Sequence, residues 1–412
     1  MDTEAAGGIV LLVAALIALV WANSPWNGAY RSLWHTDFTV NVGRYVLAGD
    51  LRHWVNDALM VVFFFVVGLE IKRELVQGEL RDPRTAAMPA VAALGGMMVP
   101  AALYLLVAAG GDGANGWGIP MATDIAFALG VVALLGRRVP ASLKLFLLTL
   151  AIVDDIGAIM VIGVFYSSGV QPQFLVAAAA LVAGIALLKR AGVVWLAPYV
   201  VLGAGLWLAT YASGVHATIA GVVLGLLTPA RNLVPASATR DWAADLHDEP
   251  GRHELDTMSR LARHSLSPAE RIAHVLHPWS SFLIVPIFAL ANAGVEIKGD
   301  AFDASGAAAV SGGVMLGLVV GKTLGIAGAA WVAARLGIAR LPEGATWKMI
   351  FAIASVAGIG FTVSLFVAEL AFEPGPLQES AKVGVLAASL VAALIGGVSL
   401  WRACRTEAVD VS

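Results

Sequence analysis

The chain has 412 residues, of which 59% are apolar and only 13% charged, about half the charged share of an ordinary soluble domain. Mean hydropathy is +0.81, and repeated apolar runs of about 18–25 residues match the thickness of a bilayer core. This excludes an ordinary soluble protein, the net charge of −3 gives no sign of nucleic-acid binding, and the single Cys404 excludes an internal disulfide.

The fold class expected is an all-α membrane protein with twelve transmembrane helices. The spans lie near 8–22, 52–72, 85–108, 116–136, 142–166, 173–191, 194–211, 215–229, 275–293, 311–334, 347–371 and 380–403. The first run lacks a basic n-region and a small-residue cleavage site, so it reads as a retained helix. Residues 37–50 alternate apolar and polar side chains and predict a small β-hairpin outside the membrane. The connection 230–274 is polar and carries both charge signs, which predicts a loop with some surface helix. With this topology, 20 Lys and Arg side chains fall on one side and 5 on the other, with Lys322 inside a span. Positive charge gathers on the cytoplasmic side, which places both termini and the long loop in the cytoplasm.

Few charges lie inside the spans. Asp154 and Asp155 are the only charged residues between Lys144 and Lys189. A carboxylate at the centre of a span costs about 2.5–3.5 kcal/mol on insertion scales, so a buried one reads as functional. Neighbours on a helix point about 100° apart, so the two are suited to different tasks. One can face a cation site with Asp124 while the other faces Lys322. Asp124 is the only charge between Asp112 and Arg137, and Lys322 the only one between Asp303 and Arg335. Hard carboxylate oxygens suit Na⁺ or Li⁺ and also take protons. Competition between cation and proton at one site suffices for exchange if the site opens alternately to each side.

Two spans carry helix-breaking residues. Gly118 and Pro120 interrupt the fourth, and Gly358 and Gly360 the eleventh. Their opposite orientation predicts an inverted repeat with its site at the midplane. Other readings remain open at this point. A channel, or a carrier of another cation such as K⁺, could use the same charges. An intramembrane hydrolase could use Asp124 with Asp155 as a dyad. A scaffold or binding role would leave three buried acids and a lysine unexplained. Ser213 has no G-x-S-x-G context, and His253-Glu254 has no second histidine four residues on, so no enzyme is expected.

The stretches NDALMVVFFFVVGLEIKREL, MATDIAFALGVVALLGRRVP, LAIVDDIGAI, SGVHATIAG, HVLHPWSSF and GIGFTVSLF together resemble the NhaA family of sodium/proton antiporters. The resemblance runs over about residues 8–400. It implies an interrupted fourth and eleventh helix crossing at the midplane, their partial charges balanced by Asp124 and Lys322. It implies Asp155 and Asp154 as the exchange site, with Asp155 the direct Na⁺ ligand, Asp154 paired to Lys322, and Thr123 beside the ion. It implies electrogenic, alkaline-activated exchange of Na⁺ or Li⁺ for H⁺ without a cofactor. The expected setting is the lipid bilayer of a bacterial inner membrane, as a homodimer joined partly by the 37–50 hairpin.

By position, Asp57, Glu70, Arg73, Glu74, His274 and His277 match a pH-sensing cluster of that family. His216 matches a further position linked to pH response. Two departures stand out. Ala273 occupies the place of a family glutamate and Glu270 that of a lysine, and the 230–270 loop is longer and more acidic. A shifted or flatter pH activation is expected from them.

Overall fold

The computed structural model describes residues 3–42, 45–167, 169–193, 196–230, 267–297 and 305–410. Most of the 230–274 connection lies outside these residues, and so do His247, His253 and His264. Among the described residues, seven helices are long and apolar enough to cross a membrane, or up to ten if each bent pair is one span. The seven are Leu51–Val76, Pro83–Ala108, Ala141–Phe165, Pro172–Arg190, Pro268–Asn292, Ala307–Arg335 and Pro376–Arg405. Two shorter apolar helices are Ala197–Ala212 and Thr218–Leu227. Strands Asp37–Val42 and Tyr45–Asp50 pair antiparallel, with Asp37 opposite Asp50 and Val42 opposite Tyr45.

Three helix pairs are sharply bent. Ala6–Ala22 turns into Asn27–Trp34 at 116°, Gly111–Met121 into Ile125–Leu134 at 49°, and Trp347–Val356 into Phe361–Ala371 at 48°. The last two breaks meet each other. The Asp124 N–H donates to the Ile359 carbonyl at 2.7 Å, and the Ser364 hydroxyl to the Ile119 carbonyl at 2.7 Å. Each break therefore satisfies backbone groups that the other leaves free, which unwound backbone inside a membrane requires.

Glycines let the helices around these breaks approach closely. A Cβ on Gly225 would lie 2.6 Å from the Gly68 carbonyl carbon, so Leu51–Val76 and Thr218–Leu227 touch backbone to backbone. Small residues serve this purpose at membrane helix interfaces. Lys322 follows directly on a π-helical turn, Gly317–Gly321. Such a turn adds one residue to the local repeat and re-aims the side chains beyond it.

The structure differs from the sequence reading at several boundaries. Gly118 and Pro120 lie within the 3₁₀ segment Gly111–Met121, and the chain breaks downstream of them. Ala122 and Asp124 are the extended residues there. A tight 3₁₀ segment tolerates Pro120, whose missing N–H costs little once the regular α ladder is absent. The helix expected from 275 starts at Pro268. Ser267 and Glu270 form a capping box, the Glu270 N–H donating to the Ser267 hydroxyl and the Ser267 N–H to the Glu270 carboxylate. Glu270 thus closes the end of its own helix.

Candidate functional site

Asp154 and Asp155 lie midway along Ala141–Phe165, both buried. Asp154 faces the Ala307–Arg335 helix and forms an ion pair with the Lys322 ammonium, both side chains fully buried. The Thr123 hydroxyl lies 2.8 Å from Asp154 Oδ2 and 2.9 Å from the Ala357 carbonyl. It has one proton, so it serves one acceptor at a time. Thr123 thereby links the break of one helix pair, the end of the other, and the carboxylate between them.

Asp155 points elsewhere, as adjacent helical residues must. It lies within electrostatic reach of Asp154, Glu70 and Asp124 as like charges, and of Lys322 as the counter-charge. Its Oδ1 is buried with no hydrogen-bond partner among the described residues, and so is Asp154 Oδ1. Two orphaned carboxylate oxygens on consecutive residues are costly in a membrane interior. A proton or a hard cation satisfies them.

Asp124 is engaged differently. Its Oδ1 accepts from the Phe127 N–H at 3.0 Å, which caps Ile125–Leu134. Its Oδ2 accepts from the Thr362 N–H at 3.1 Å and the Thr362 hydroxyl at 2.6 Å. One carboxylate thus faces the positive ends of both downstream half-helices. Both its oxygens accept hydrogen bonds from the starts of these half-helices, and the carboxylate stays within electrostatic reach of Asp155. Among the described residues no three His, Cys, Asp or Glu side chains form a metal-binding group. Lys322 makes its hydrogen bond to Asp154. Gly358 and Gly360 lie in the 357–360 interval between the other two half-helices.

The seven residues matched to pH response fall into two groups. Glu74 is buried, 3.5 Å from Arg73, and its Oε2 accepts from the Glu79 N–H at 3.1 Å. Glu70 lies one turn earlier, toward Asp155. His274 and His277 belong to the neighbouring Pro268–Asn292 helix, which packs on Leu51–Val76 through Leu69, Ala269, Ile272 and Ala273. His277 Nδ1 sits 3.5 Å from the Ser281 hydroxyl. Asp57 is separate. It lies 17 residues before Glu74, about 25 Å along the helix, beside the hairpin end. There it meets His53 at 3.2 Å, and its carbonyl accepts from Trp207 Nε1 at 2.9 Å. His216 Nε2 donates to the Tyr166 carbonyl at 2.8 Å. Of the six residues read together from the sequence, Asp57 lies apart from Glu74, and it is near His216, which the sequence placed separately.

Sequence reasoning missed a second buried pair. Glu369 and Lys382 form an ion pair between Phe361–Ala371 and the last helix, with Gln378 Nε2 3.3 Å from the second Glu369 oxygen. The signal was present: Glu369 is the only charge between Lys348 and Glu373, and Lys382 follows it thirteen residues later. Both lie near the ends of the expected spans 347–371 and 380–403, where a charge is less conspicuous than at the centre.

A family profile described as "Na+/H+ antiporter 1" matches residues 1–400 of the chain. The relatives include a protein named Na(+)/H(+) antiporter NhaA 2 from Myxococcus xanthus, 49% identical over 96% of this chain and 86% of that relative. A Na(+)/H(+) antiporter NhaA from Rhodopirellula baltica is 47% identical over 97% of this chain and 92% of its own length. A third, NhaA 3 from Frankia alni, is 47% identical over 97% of this chain and 87% of its own.

Proposed function

Because the chain belongs to the Na⁺/H⁺ antiporter family that this profile defines, we propose that it exchanges Na⁺ or Li⁺ for protons at Asp154 and Asp155. The observation that carries this reading is the Asp154–Lys322 pair beside Asp155, with one orphaned oxygen on each carboxylate. In the proton-loaded state Asp155 is neutral and Asp154 is balanced by the Lys322 ammonium. A cation arriving at the two orphaned oxygens needs the Asp155 proton to leave. It also places a second positive charge beside Lys322 in a low dielectric, where like charges repel strongly. Lys322 then gives up its proton as the cation takes over Asp154. Two protons leave as one cation enters, so the cycle carries net charge.

Asp124 stays ionised in this scheme and holds the half-helix N-termini in place. Thr123 turns its hydroxyl between Asp154 and the Ala357 carbonyl as the charge on Asp154 is shared with Lys322 or the cation. The similar bends of 49° and 48° support an inverted repeat whose two broken spans cross at the site. The full reading is twelve spans in a bacterial inner membrane, both termini and the 230–274 loop cytoplasmic, and a homodimer using the hairpin. Glu70, Arg73, Glu74, His274 and His277 form the cytoplasmic pH-responsive group. His216 and Asp57 act on pH response from the hairpin side.

The test is collapse of a pH gradient in everted vesicles on adding Na⁺, Li⁺ or K⁺, with Asp155→Asn alongside. Collapse by Na⁺ and Li⁺ but not K⁺, lost in the variant, is the expected result. A native chain that responds to none of the three across neutral and alkaline pH would falsify the antiport reading. A response to K⁺ alone would redirect it to another carrier.

A further inference from the structure

Tyr166 closes the Ala141–Phe165 helix as its C-cap. Its hydroxyl sits between two backbone groups. It accepts from the Gly118 N–H at 3.1 Å and donates to the Asn115 carbonyl at 2.8 Å. Asn115 and Gly118 are three residues apart within the 3₁₀ segment Gly111–Met121. In such a helix the Gly118 N–H would itself bond the Asn115 carbonyl. The tyrosine hydroxyl bridges those two groups, donating to one and accepting from the other. A side chain lodged in a helix ladder in this way affects the local rise.

The surroundings are shaped for this. A Cβ on Gly118 would lie 2.7 Å from the hydroxyl, so only glycine leaves the space. The Trp117 ring stacks on the Tyr166 ring at 24° with centroids 6.4 Å apart. The Tyr166 carbonyl is held by His216 Nε2 from before the Thr218–Leu227 helix. The bridged turn lies five residues before Thr123 and six before Asp124. Between them, Pro120 has no N–H to brace the chain, and the Ile119 carbonyl is taken by Ser364. Tyr104 holds the Gly113 carbonyl at the far end of the segment, and Tyr166 is the hydroxyl that holds the turn nearest Thr123.

We propose that Tyr166 is a positioning residue of the exchange site: its bridging hydroxyl sets the length of the interrupted helix and so the placement of Thr123 against Asp154. The inference rests on the antiport reading above. Without the hydroxyl, Gly118 and Asn115 bond directly, the turn tightens, and Thr123 is drawn away from Asp154 Oδ2. The cation then meets a misplaced ligand set while the half-helices remain docked through Asp124 and Thr362.

The experiment uses the full chain purified into proteoliposomes, with Na⁺- and Li⁺-driven proton movement measured for the native protein and Tyr166→Phe. Phenylalanine keeps the ring and its stacking and removes only the hydroxyl. The expected result is an apparent KM for Na⁺ raised about fivefold or more, the size of a lost hydrogen bond, with the maximal rate changed less than the KM and an unaltered melting temperature. A purely structural role would lower the melting temperature and leave the KM alone. Gly118→Ala, which crowds out the hydroxyl while retaining it, should raise the KM in the same direction, and it decides the matter if Tyr166→Phe fails to fold. Native KM values in whichever of the two variants folds overturn the inference alone. A native chain that exchanges neither cation overturns the antiport reading and this inference with it.

Discussion

Among the described residues two lysine–carboxylate pairs are buried, and their surroundings separate them. Lys322–Asp154 and Lys382–Glu369 use the same chemistry at similar burial. Around Glu369 every need is met locally: Lys382 reaches one oxygen, and Gln378 lies beside the other and also donates to the Phe372 carbonyl at 2.9 Å. Around Asp154 the needs are not met. Among the described residues its Oδ1 has no partner, the next residue is a second acid with an orphaned oxygen, and the helices alongside are broken. A satisfied buried pair ties helices together. A pair left incomplete beside a second carboxylate has room for something that comes and goes.

The sharpest way to break this comparison is to neutralise one acid in each region. Asp155→Asn should reduce Na⁺-driven proton exchange by about 100-fold or more with the melting temperature kept. Glu369→Gln should do the reverse. Removing one partner of a buried pair costs about 3–5 kcal/mol, so its melting temperature should fall while the folded fraction still exchanges. If Glu369→Gln abolishes exchange in protein that remains folded, the two pairs do not divide into one for transport and one for joining helices.

Lys322→Arg gives a finer division. Arginine keeps the positive charge but does not release its proton in a protein. It should preserve folding, slow exchange about tenfold, and make what remains less responsive to membrane potential. Measuring exchange with and without an imposed potential checks this. Undiminished voltage dependence would remove Lys322 from the proton count. The Lys382→Met, Glu369→Leu double variant should recover most of the stability that Glu369→Gln loses, because an apolar replacement of a whole pair is often neutral. Recovery that fails would mean the pair has a use beyond joining helices.

The smallest effect is expected at the departure from the family pattern. Glu270→Lys removes half of a capping box and should cost about 1 kcal/mol, seen as a small fall in melting temperature with the maximal exchange rate intact. Ala273 lies in the apolar seam with Leu69, so Ala273→Glu introduces a carboxylate between two packed helices. Identical pH profiles for this variant and the native chain would count against position 273 as a source of altered pH response.

These contrasts also mark where the sequence could be read and where it could not. Asp124, Asp154, Asp155 and Lys322 were legible because each lies in a long apolar run with almost no other charge. Which of the two adjacent aspartates faces the lysine came only from the resemblance, since a rotation of about 100° per residue has no meaning until neighbours are placed. Asp124 was legible from the residues as buried, and its place opposite interrupted helices came only from the resemblance, because Thr362 is 238 residues away. The break near Pro120 was read from residue type, yet it falls at 122–124, where contacts with Ile359 and Ala357 hold the chain extended. Glu369 and Lys382 were hidden by position, since charges near span ends look solvated. The Ser267–Glu270 capping box was present as a pattern and lay outside the apolar run that defined the helix.

The most direct test of exchange at the paired aspartates is a count of protons released when Na⁺ binds to the purified protein in weakly buffered detergent solution at alkaline pH. Binding should displace protons from both Asp155 and Lys322, Lys322→Arg should lower the count, and Asp155→Asn should remove Na⁺-induced release. Release of the same number of protons by Asp155→Asn and the native chain would contradict this, and would move the exchange site away from the paired aspartates.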